Sequence, residues 1–118
     1  MSHKLENYLR THRRRAGLTQ DEVAFLLGCK SGTKVSRYER FRRRPPLETV
    51  FAYEVIFRAP ARELLAGTYQ RVERTAVRRA RLLAQTLRGG KQNRLTTRKL
   101  AALNAVASSV DRTQRAKR

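Results

Sequence analysis

Between residues 30 and 44 the chain has side chains that could bind a polar or negatively charged partner. Hydroxyl groups and cations recur there at spacings that place several of them on one side of a short helix: Ser31, Thr33, Lys34, Ser36 and Arg37. Four arginines follow before a pair of prolines: Arg40, Arg42, Arg43 and Arg44. Hydroxyl and ammonium groups form hydrogen bonds with polar groups of a partner, and one guanidinium group can bind two phosphate oxygens at once. This chemistry favours recognition of a polyanion over bond making.

The sequence offers little for catalysis. Its two histidines, His3 and His12, have no serine, cysteine or paired carboxylate at a motif spacing, and no phosphate-binding glycine loop or metal-ligand cluster accompanies them. The single cysteine, Cys29, allows neither an internal disulfide nor a zinc cluster. We predict a small buried thiol there, the alternative being a redox-sensitive group. The chain is therefore predicted not to be an enzyme and to need no metal or cofactor.

Two short helices joined by a turn are predicted to position the polar residues. Thr19 can cap the first helix while Glu22 returns a hydrogen bond, which makes a capping box. The apolar face of this helix is predicted to hold Val23, Ala24, Leu26 and Leu27. Gly28 suits the left-handed residue that ends a helix, and Ser31 can cap the second helix. Core-facing residues of the second helix are predicted at Val35, Tyr38 and Phe41.

This stretch resembles the Cro/repressor-type helix-turn-helix family, also called XRE-type or lambda-repressor-like. The resemblance is carried by Leu18-Thr19-Gln20-Asp21-Glu22-Val23-Ala24, by Val35-Ser36-Arg37-Tyr38-Glu39 and by Pro46-Leu47-Glu48-Thr49. With a first helix over residues 5–15, it covers residues 4–66. It implies an all-α, five-helix DNA-binding domain over residues 1–67, whose second short helix enters the major groove. The turn is one residue longer than is usual in the family, so the base contacted by each of residues 31–34 stays open.

The resemblance also implies roles for single side chains. Base contacts are expected from Ser31, Thr33, Lys34, Ser36 and Arg37. Phosphate contacts are expected from Thr19, Gln20, Lys30, Arg40, Arg42, Arg43 and Arg44. Gln20 matches the family residue that contacts phosphate and braces the recognition helix, the alternative being a solvent-facing glutamine. Glu39 is expected to pair with an arginine.

The charge of the chain favours a nucleic-acid partner. There are 28 Lys and Arg against 9 Asp and Glu, a formal net charge of +19. Residues 1–67 hold 14 basic and 7 acidic residues, whereas residues 68–118 hold 14 and 2. A field of this strength attracts polyanions and makes binding steeply salt-dependent. A merely solvated basic surface is the less favoured interpretation.

Beyond residue 67 the resemblance ends, and periodicity alone predicts a basic helical hairpin over residues 68–110. An apolar stripe recurs at Tyr69, Val72, Ala76, Ala80, Leu83 and Leu87, on a helix that ends at Gly89-Gly90. A second helix, capped near Thr96 or Thr97, is predicted to carry Leu100, Leu103, Ala107 and Val110 on one face. Residues 111–118 are predicted to be a basic, disordered tail.

The hairpin either folds back on the domain or mediates dimerisation, which we favour. The fourth helix, predicted over residues 47–58, also has more large apolar side chains than one helix face needs, and a short fifth helix is expected over residues 61–66. The residues predicted at a dimer interface are Phe51, Tyr69, Val72, Leu83, Leu87, Leu100 and Leu103.

We therefore expect a cytoplasmic, nucleoid-associated homodimer that binds double-stranded DNA and regulates transcription, with repression favoured. No transmembrane stretch or signal peptide is predicted. The alternatives are an activator that contacts RNA polymerase, an antitoxin-type autorepressor with a partner protein, and a sequence-tolerant nucleoid or RNA-binding protein. The ratio of specific to non-specific affinity separates a regulator from the last of these.

Overall fold

The computed structural model describes residues 6–116, and side chains as far as residue 108. Over that range the chain is built of helices without strands, which confirms the predicted all-α class. The helices are α1 (Leu9–Ala16), α2 (Gln20–Leu27), α3 (Thr33–Glu39), α4 (Leu47–Phe57), α5 (Ala61–Leu64), α6 (Ala66–Arg88) and α7 (Arg94–Ala116). None of the helices in the described part has both the length and the apolar character that a membrane crossing requires.

The chain forms two compact units, of which the first ends at Gln70 and the second begins at Arg71. The first unit closes around an apolar core to which each of the helices α1 to α5 contributes. The buried side chains of this core are Leu9, Val23, Ala24, Val35, Tyr38, Tyr53 and Leu64. The predicted core positions in α2 and α3 are thereby confirmed for Val23, Ala24, Val35 and Tyr38.

The sequence pattern predicted two further core residues, Leu26 and Phe41, and both predictions are wrong. Leu26 is 51% exposed, because Val23, Ala24 and the half-buried Leu27 already cover the arc of α2 that meets the core. Phe41 is 48% exposed, because it lies beyond the end of α3, where helical spacing no longer applies. The Cys29 side chain is half-buried against the core rather than fully enclosed.

Several helix ends also differ from expectation. The first helix begins at Leu9 with Tyr8 as its N-cap, and the Leu9 amide donates to Asn7 Oδ1 (3.1 Å). Leu5, where the helix was predicted to begin, lies outside the described residues. Gly67 was expected to end the fifth helix but lies inside α6, where its amide donates to the Glu6 carbonyl (3.2 Å).

The second unit consists of α6 from Arg71 onward and α7, and each helix buries one side. On α6 the buried side chains are Val77, Ala80 and Ala84. On α7 Thr96 is buried, and Leu100, Leu103 and Ala107 are half-buried. Both sets repeat at steps of three and four residues, the spacing by which helices pack along a seam.

The stripe predicted on α6 is displaced around the helix from this seam. Ala80 and the half-buried Leu87 belong to both, but Tyr69, Val72, Ala76 and Leu83 are exposed. Leu87, Leu100 and Leu103 are half-buried, in contrast to the other residues predicted at a dimer interface, which are exposed.

The turn of the second unit is closed by two amide side chains. Gln92 Nε2 donates to the carbonyls of Leu87 (2.9 Å), Arg88 (3.2 Å) and Gly90 (2.9 Å), which caps the end of α6. Asn93 Oδ1 accepts from the Thr96 amide (3.0 Å). The cap of α7 is therefore Asn93, and the predicted cap at Thr96 or Thr97 is wrong.

The helix α7 also continues to Ala116, so the expected disordered tail from residue 111 is wrong as far as that residue. Residues 117–118 lie outside the described residues.

Candidate nucleic-acid interface

The start of α2 is held by the predicted capping box. Thr19 Oγ1 accepts from the Glu22 amide (3.0 Å), and the Thr19 amide donates to Glu22 Oε1 (2.9 Å). At the other end Gly28 adopts the left-handed conformation, with φ of 78°, and its amide bonds back to carbonyls of the last turn. Both predictions are confirmed, and the Thr19 hydroxyl is committed to the helix.

The turn between α2 and α3 is fastened by residues that the sequence pattern did not reveal. The Gly32 amide donates to Asp21 Oδ1 (2.8 Å), and a Cβ at Gly32 would lie 2.8 Å from that oxygen and 3.0 Å from Gln20 Cβ. Gly32 is the N-cap of α3, so the predicted cap at Ser31 is wrong. Ser31 lies one residue earlier, and its Oγ donates to Thr33 Oγ1 (3.1 Å).

The outer side of α3 is polar and cationic. Thr33, Lys34 and Arg37 are exposed. Ser36 is half-buried, and its Oγ accepts from Arg40 Nε (3.1 Å) and Nη2 (2.8 Å), so these two predicted contact residues are bonded to each other. Three of the residues predicted to contact bases, Thr33, Lys34 and Arg37, are thereby brought onto the exposed side of α3.

A buried ion pair holds the C-terminal end of α3. Glu39 Oε2 lies 2.7 Å from Arg13 Nε, with side-chain exposures of 3% and 12%. Arg13 Nη2 also donates to Glu39 Oε1 (3.1 Å), and Gln20 Nε2 donates to the same oxygen (3.2 Å). Hydrogen bonding to Glu39 raises the pKa of Arg13 above its already high usual value, so the Arg13 guanidinium stays charged.

This network joins three helices. Arg13 belongs to α1, Gln20 to α2 and Glu39 to α3. The expected pairing of Glu39 with an arginine is confirmed, and Gln20 reaches the recognition helix through this carboxylate. Arg13 was not predicted as the partner, since 26 residues separate it from Glu39.

The Tyr53 hydroxyl lies buried in the same core, with no hydrogen-bond partner among the described residues. Burial, and next the negative charge of Glu39, raise the pKa of this hydroxyl above its ordinary value of 10.0. Tyr53 therefore stays neutral well into the alkaline range in the folded state.

The chain leaves α3 through a tight C-terminal motif. The Phe41 amide donates to the Tyr38 carbonyl (3.2 Å) and the Arg42 amide to the Arg37 carbonyl (3.0 Å). Phe41 has a positive φ of 64°. This pattern of paired bonds with a left-handed residue is a Schellman motif, and it turns the following arginines away from the helix axis.

The surface around α3 is strongly positive. Seven cations between residues 30 and 44 are exposed: Lys30, Lys34, Arg37, Arg40, Arg42, Arg43 and Arg44. Glu39 is the one acidic residue in this stretch, and it is buried in the ion pair. These residues can therefore bind several phosphates, and no exposed carboxylate within residues 30–44 competes for them.

Two short packed helices joined by a turn, with a cationic outer face on the second, define a helix-turn-helix, a class of DNA-binding domain. The family model described as "Helix-turn-helix domain" matches residues 7–66, and the chain belongs to this family. The resemblance to the Cro/repressor type is thereby confirmed, and the first unit is a DNA-binding domain of the kind found in regulators. Comparisons with curated proteins and with solved structures gave no match.

Proposed function

We propose that the protein is a sequence-specific transcription regulator that reads the major groove with α3. The observation that supports this most is the cationic outer face of α3, held in place by the buried Arg13–Glu39–Gln20 network. A rigidly held recognition helix lets hydrogen-bond donors meet base edges at a defined register. Repression is the simplest mode of action, because occupation of a promoter excludes polymerase without a further contact.

Base reading is assigned to Thr33, Lys34 and Arg37, which extend from the N-terminal and central part of α3. Ser31 and Ser36 stay in this set, although each is bonded to a neighbouring side chain. Positioning on phosphates is assigned to the exposed side chains of Lys30, Arg40, Arg42, Arg43 and Arg44, to Thr19 and to Gln20. Phosphate contacts set register and orientation, and base contacts carry sequence information.

A pair of single substitutions tests the assignment, after a preferred site has been selected from random duplexes. Arg37→Ala should lose roughly 1–3 kcal/mol on that site and relax preference at one base position. Arg43→Ala should weaken all sequences alike and reduce the salt slope by about 1. Competition binding on the selected site and on random DNA measures both. An equal loss on the two DNAs for Arg37→Ala would refute base reading by this residue.

Self-association belongs to the same proposal, since one helix-turn-helix meets only one half-site. On α4 three apolar side chains at four-residue steps face solvent: Leu47 (67% exposed), Phe51 (55%) and Val55 (77%). On α6 the large exposed side chains are Tyr69, Val72, Leu82 and Leu83. Apolar helix faces of this kind are typical of interfaces between protein copies.

Sedimentation of the full chain, free and on DNA, tests this part. Phe51→Asp places a charge on the exposed face of α4, and Val72→Asp places one on that of α6. The substitution that lies in the interface between copies should give a monomer, which should bind a two-fold site more weakly. Arg62→Gln, at an exposed position of α5, lowers the net charge by the same one unit and controls for the altered charge. If the unaltered chain is a monomer on DNA at micromolar concentration, the dimer proposal fails.

A sequence-tolerant nucleic-acid binder is the second candidate, favoured by the 14 basic and 2 acidic residues beyond residue 67. The two candidates differ in the ratio of affinities for selected and random DNA. A regulator is expected to show a ratio on the order of 10³ or more, whereas an architectural or RNA-binding protein would show little preference. That ratio, measured at a stated salt concentration, decides between them.

A further inference from the structure

Arginines form a row along one side of α6. This helix has six arginines, no lysine and a single acidic residue, Glu73. All six arginines are exposed, and four of them repeat at steps of three, four and seven residues: Arg74, Arg78, Arg81 and Arg88. Such steps return to the same side of a helix. These four residues are termed the arginine row.

The arginine row is electrostatically unfavourable for an isolated helix. Arg78 lies four residues from Arg74 and three from Arg81, and like charges at these spacings repel each other. A helix face that met only water would gain from acidic residues at the same spacings, and α6 has only Glu73. The repulsion is removed when a polyanion neutralises the row.

The choice and spacing of the side chains favour phosphate as the ligand. A guanidinium group presents a planar fork of donors that matches two phosphate oxygens, which an ammonium group does not. From Arg74 to Arg88 the row spans roughly 21 Å of helix at 1.5 Å per residue. A strand of duplex DNA offers several phosphates over that length.

We propose that the arginine row is a second DNA-binding surface that holds backbone phosphates independently of sequence. The proposal rests on DNA binding by the first unit, because that unit keeps α6 at a high effective concentration near the duplex. The row adds affinity and salt dependence, and α3 retains the choice of sequence.

Two charge-matched variants of the full chain test the proposal. The row variant changes Arg74, Arg78, Arg81 and Arg88 to Gln. The control variant changes four other exposed cations of the second unit to Gln: Arg79, Lys91, Arg98 and Lys99. Both lose the same charge, so an effect of net charge alone is equal in the two. A third variant with Lys at the four row positions keeps the charge but not the planar fork.

The readout is the slope of log affinity against log salt on selected and random duplexes. Each phosphate contact contributes about 0.9 to the magnitude of this slope. That magnitude should therefore fall by about 3 to 4 in the row variant and by less than about 1 in the control variant. The Lys variant should keep most of the slope. Equal losses in the row and control variants would overturn the proposal, and so would no loss in either.

Two further measurements keep the conclusions separate. Tighter binding of the unaltered chain to anionic phospholipid vesicles than to random duplex would assign the row to a membrane surface and overturn the proposal. A lack of preference for selected over random DNA would refute base reading by α3 and leave the row intact. Far-ultraviolet circular dichroism checks that each variant is folded, which Gln, a good helix former, should preserve.

A different observation concerns Phe41, directly after α3. Its φ of 64° is uncommon for a bulky residue, and the Schellman position that it occupies favours glycine because a Cβ is crowded there. About half of the side chain is exposed, among the cations Arg40, Arg42, Arg43 and Arg44. Neither a relaxed backbone nor full burial therefore explains a phenylalanine at this position.

We infer that the Phe41 ring packs on a deoxyribose of bound DNA. The residues at the N-terminal end of a recognition helix meet base edges, and Phe41 follows the opposite end, in a run of cations suited to phosphates. Strain in the backbone that persists at an exposed residue is typical of functional sites. This inference also rests on the proposed entry of α3 into the major groove.

The test uses two measurements that should move in opposite directions. Phe41→Gly relieves the backbone strain, so the protein should resist urea better, while the lost ring contact should weaken DNA binding several-fold. The loss should be equal on selected and random DNA and leave the salt slope unchanged, since no charge is removed. Phe41→Leu should retain part of the binding.

Arg58→Gly is the matched control, because Arg58 is the other non-glycine residue of positive φ in the described part, with φ of 53°. It should stabilise the fold in the same way and weaken binding only by the loss of one charge. Unchanged binding of Phe41→Gly would overturn the inference, and so would a joint fall in stability and binding or an altered base preference. Failure of the unaltered chain to prefer any sequence would instead refute the proposed function.

Discussion

The two units of this chain differ in what they bury and in how they use charge. The first unit buries large side chains, with Leu9, Tyr53 and Leu64 among those fully enclosed. Among its described residues the second buries Val77 and two alanines, and its leucines are half-buried or exposed. The first unit therefore has a core of large side chains that the second lacks in its described part, while both units have apolar surface to offer to another molecule.

Charge follows the same division. The 14 basic residues up to residue 70 accompany 7 acidic ones, and one of these acids, Glu39, neutralises an arginine inside the fold. The 14 basic residues that follow accompany 2 acidic ones. In the first unit charge therefore also serves the internal architecture, and in the second all ten basic residues whose side chains the structure describes are exposed.

The largest effect is expected at the buried ion pair, and it tests whether the two units differ in their use of charge. Glu39→Ala leaves the Arg13 guanidinium without its carboxylate, which should destabilise the first unit by roughly 3–5 kcal/mol. Urea denaturation followed by circular dichroism measures the loss. Glu73→Ala, on the second unit, should cost much less. Similar losses in the two variants would show that the two units do not differ in their use of charge.

Core truncation sharpens the contrast in packing. Leu9→Ala removes a fully buried side chain and should cost about 3 kcal/mol, the sum of lost transfer energy and a cavity. Leu83→Ala removes a side chain that is half exposed and should cost far less in the monomer. The same urea experiment compares them. A large loss from Leu83→Ala that grows at high protein concentration would instead place this residue in a subunit interface.

Caps should behave alike in both units, because capping is a local interaction. Thr19→Ala removes the cap of α2 and Asn93→Ala that of α7, and each should cost about 1 kcal/mol. Hydrogen exchange of the first-turn amides measures each loss at its own helix. If Thr19→Ala is neutral, the packing around α2 rather than its cap determines where the helix begins.

The smallest effect is expected at Tyr53. Tyr53→Phe removes a hydroxyl that has no partner, so stability near neutral pH should change by less than about 1 kcal/mol and can rise. Because the pKa of Tyr53 is raised in the folded state, the unfolded chain ionises first as pH rises above 10.0, and stability falls there. The stability of Tyr53→Phe should therefore decrease less than that of the unaltered protein as pH rises above 10.0. Identical alkaline unfolding curves would contradict the burial of this hydroxyl.

The features that sequence predicts well are those set by near neighbours. The Thr19–Glu22 capping box spans three residues, and Gly28 ends its helix through hydrogen bonds to the preceding turn. The inward residues Val35 and Tyr38 follow from helical spacing within one short helix. The family resemblance rests on such local features, which is why the fold class and the place of α3 could be predicted.

The features that sequence missed depend on distant partners or on competing patterns. Arg13 and Glu39 meet only when α1 packs beside α3, and many other arginines were available for the pair. On α6 two overlapping stripes were possible, and the one with alanines at 80 and 84 is buried. A polar residue at the expected position predicted a cap at Ser31, but the helix begins one residue later, with Gly32 as its N-cap and the Gly32 amide bonded to Asp21 of α2.

The turn at Gly32 also limits how this chain can vary. With φ of −70° its backbone is open to any residue, yet a side chain there would press on Asp21 Oδ1 and on the Gln20 backbone, 3.1 Å away. The restriction therefore comes from a neighbouring helix rather than from the turn itself. The connection between the two helices therefore contains one position at which glycine alone fits without displacing the polar contact that holds the start of α3 against α2.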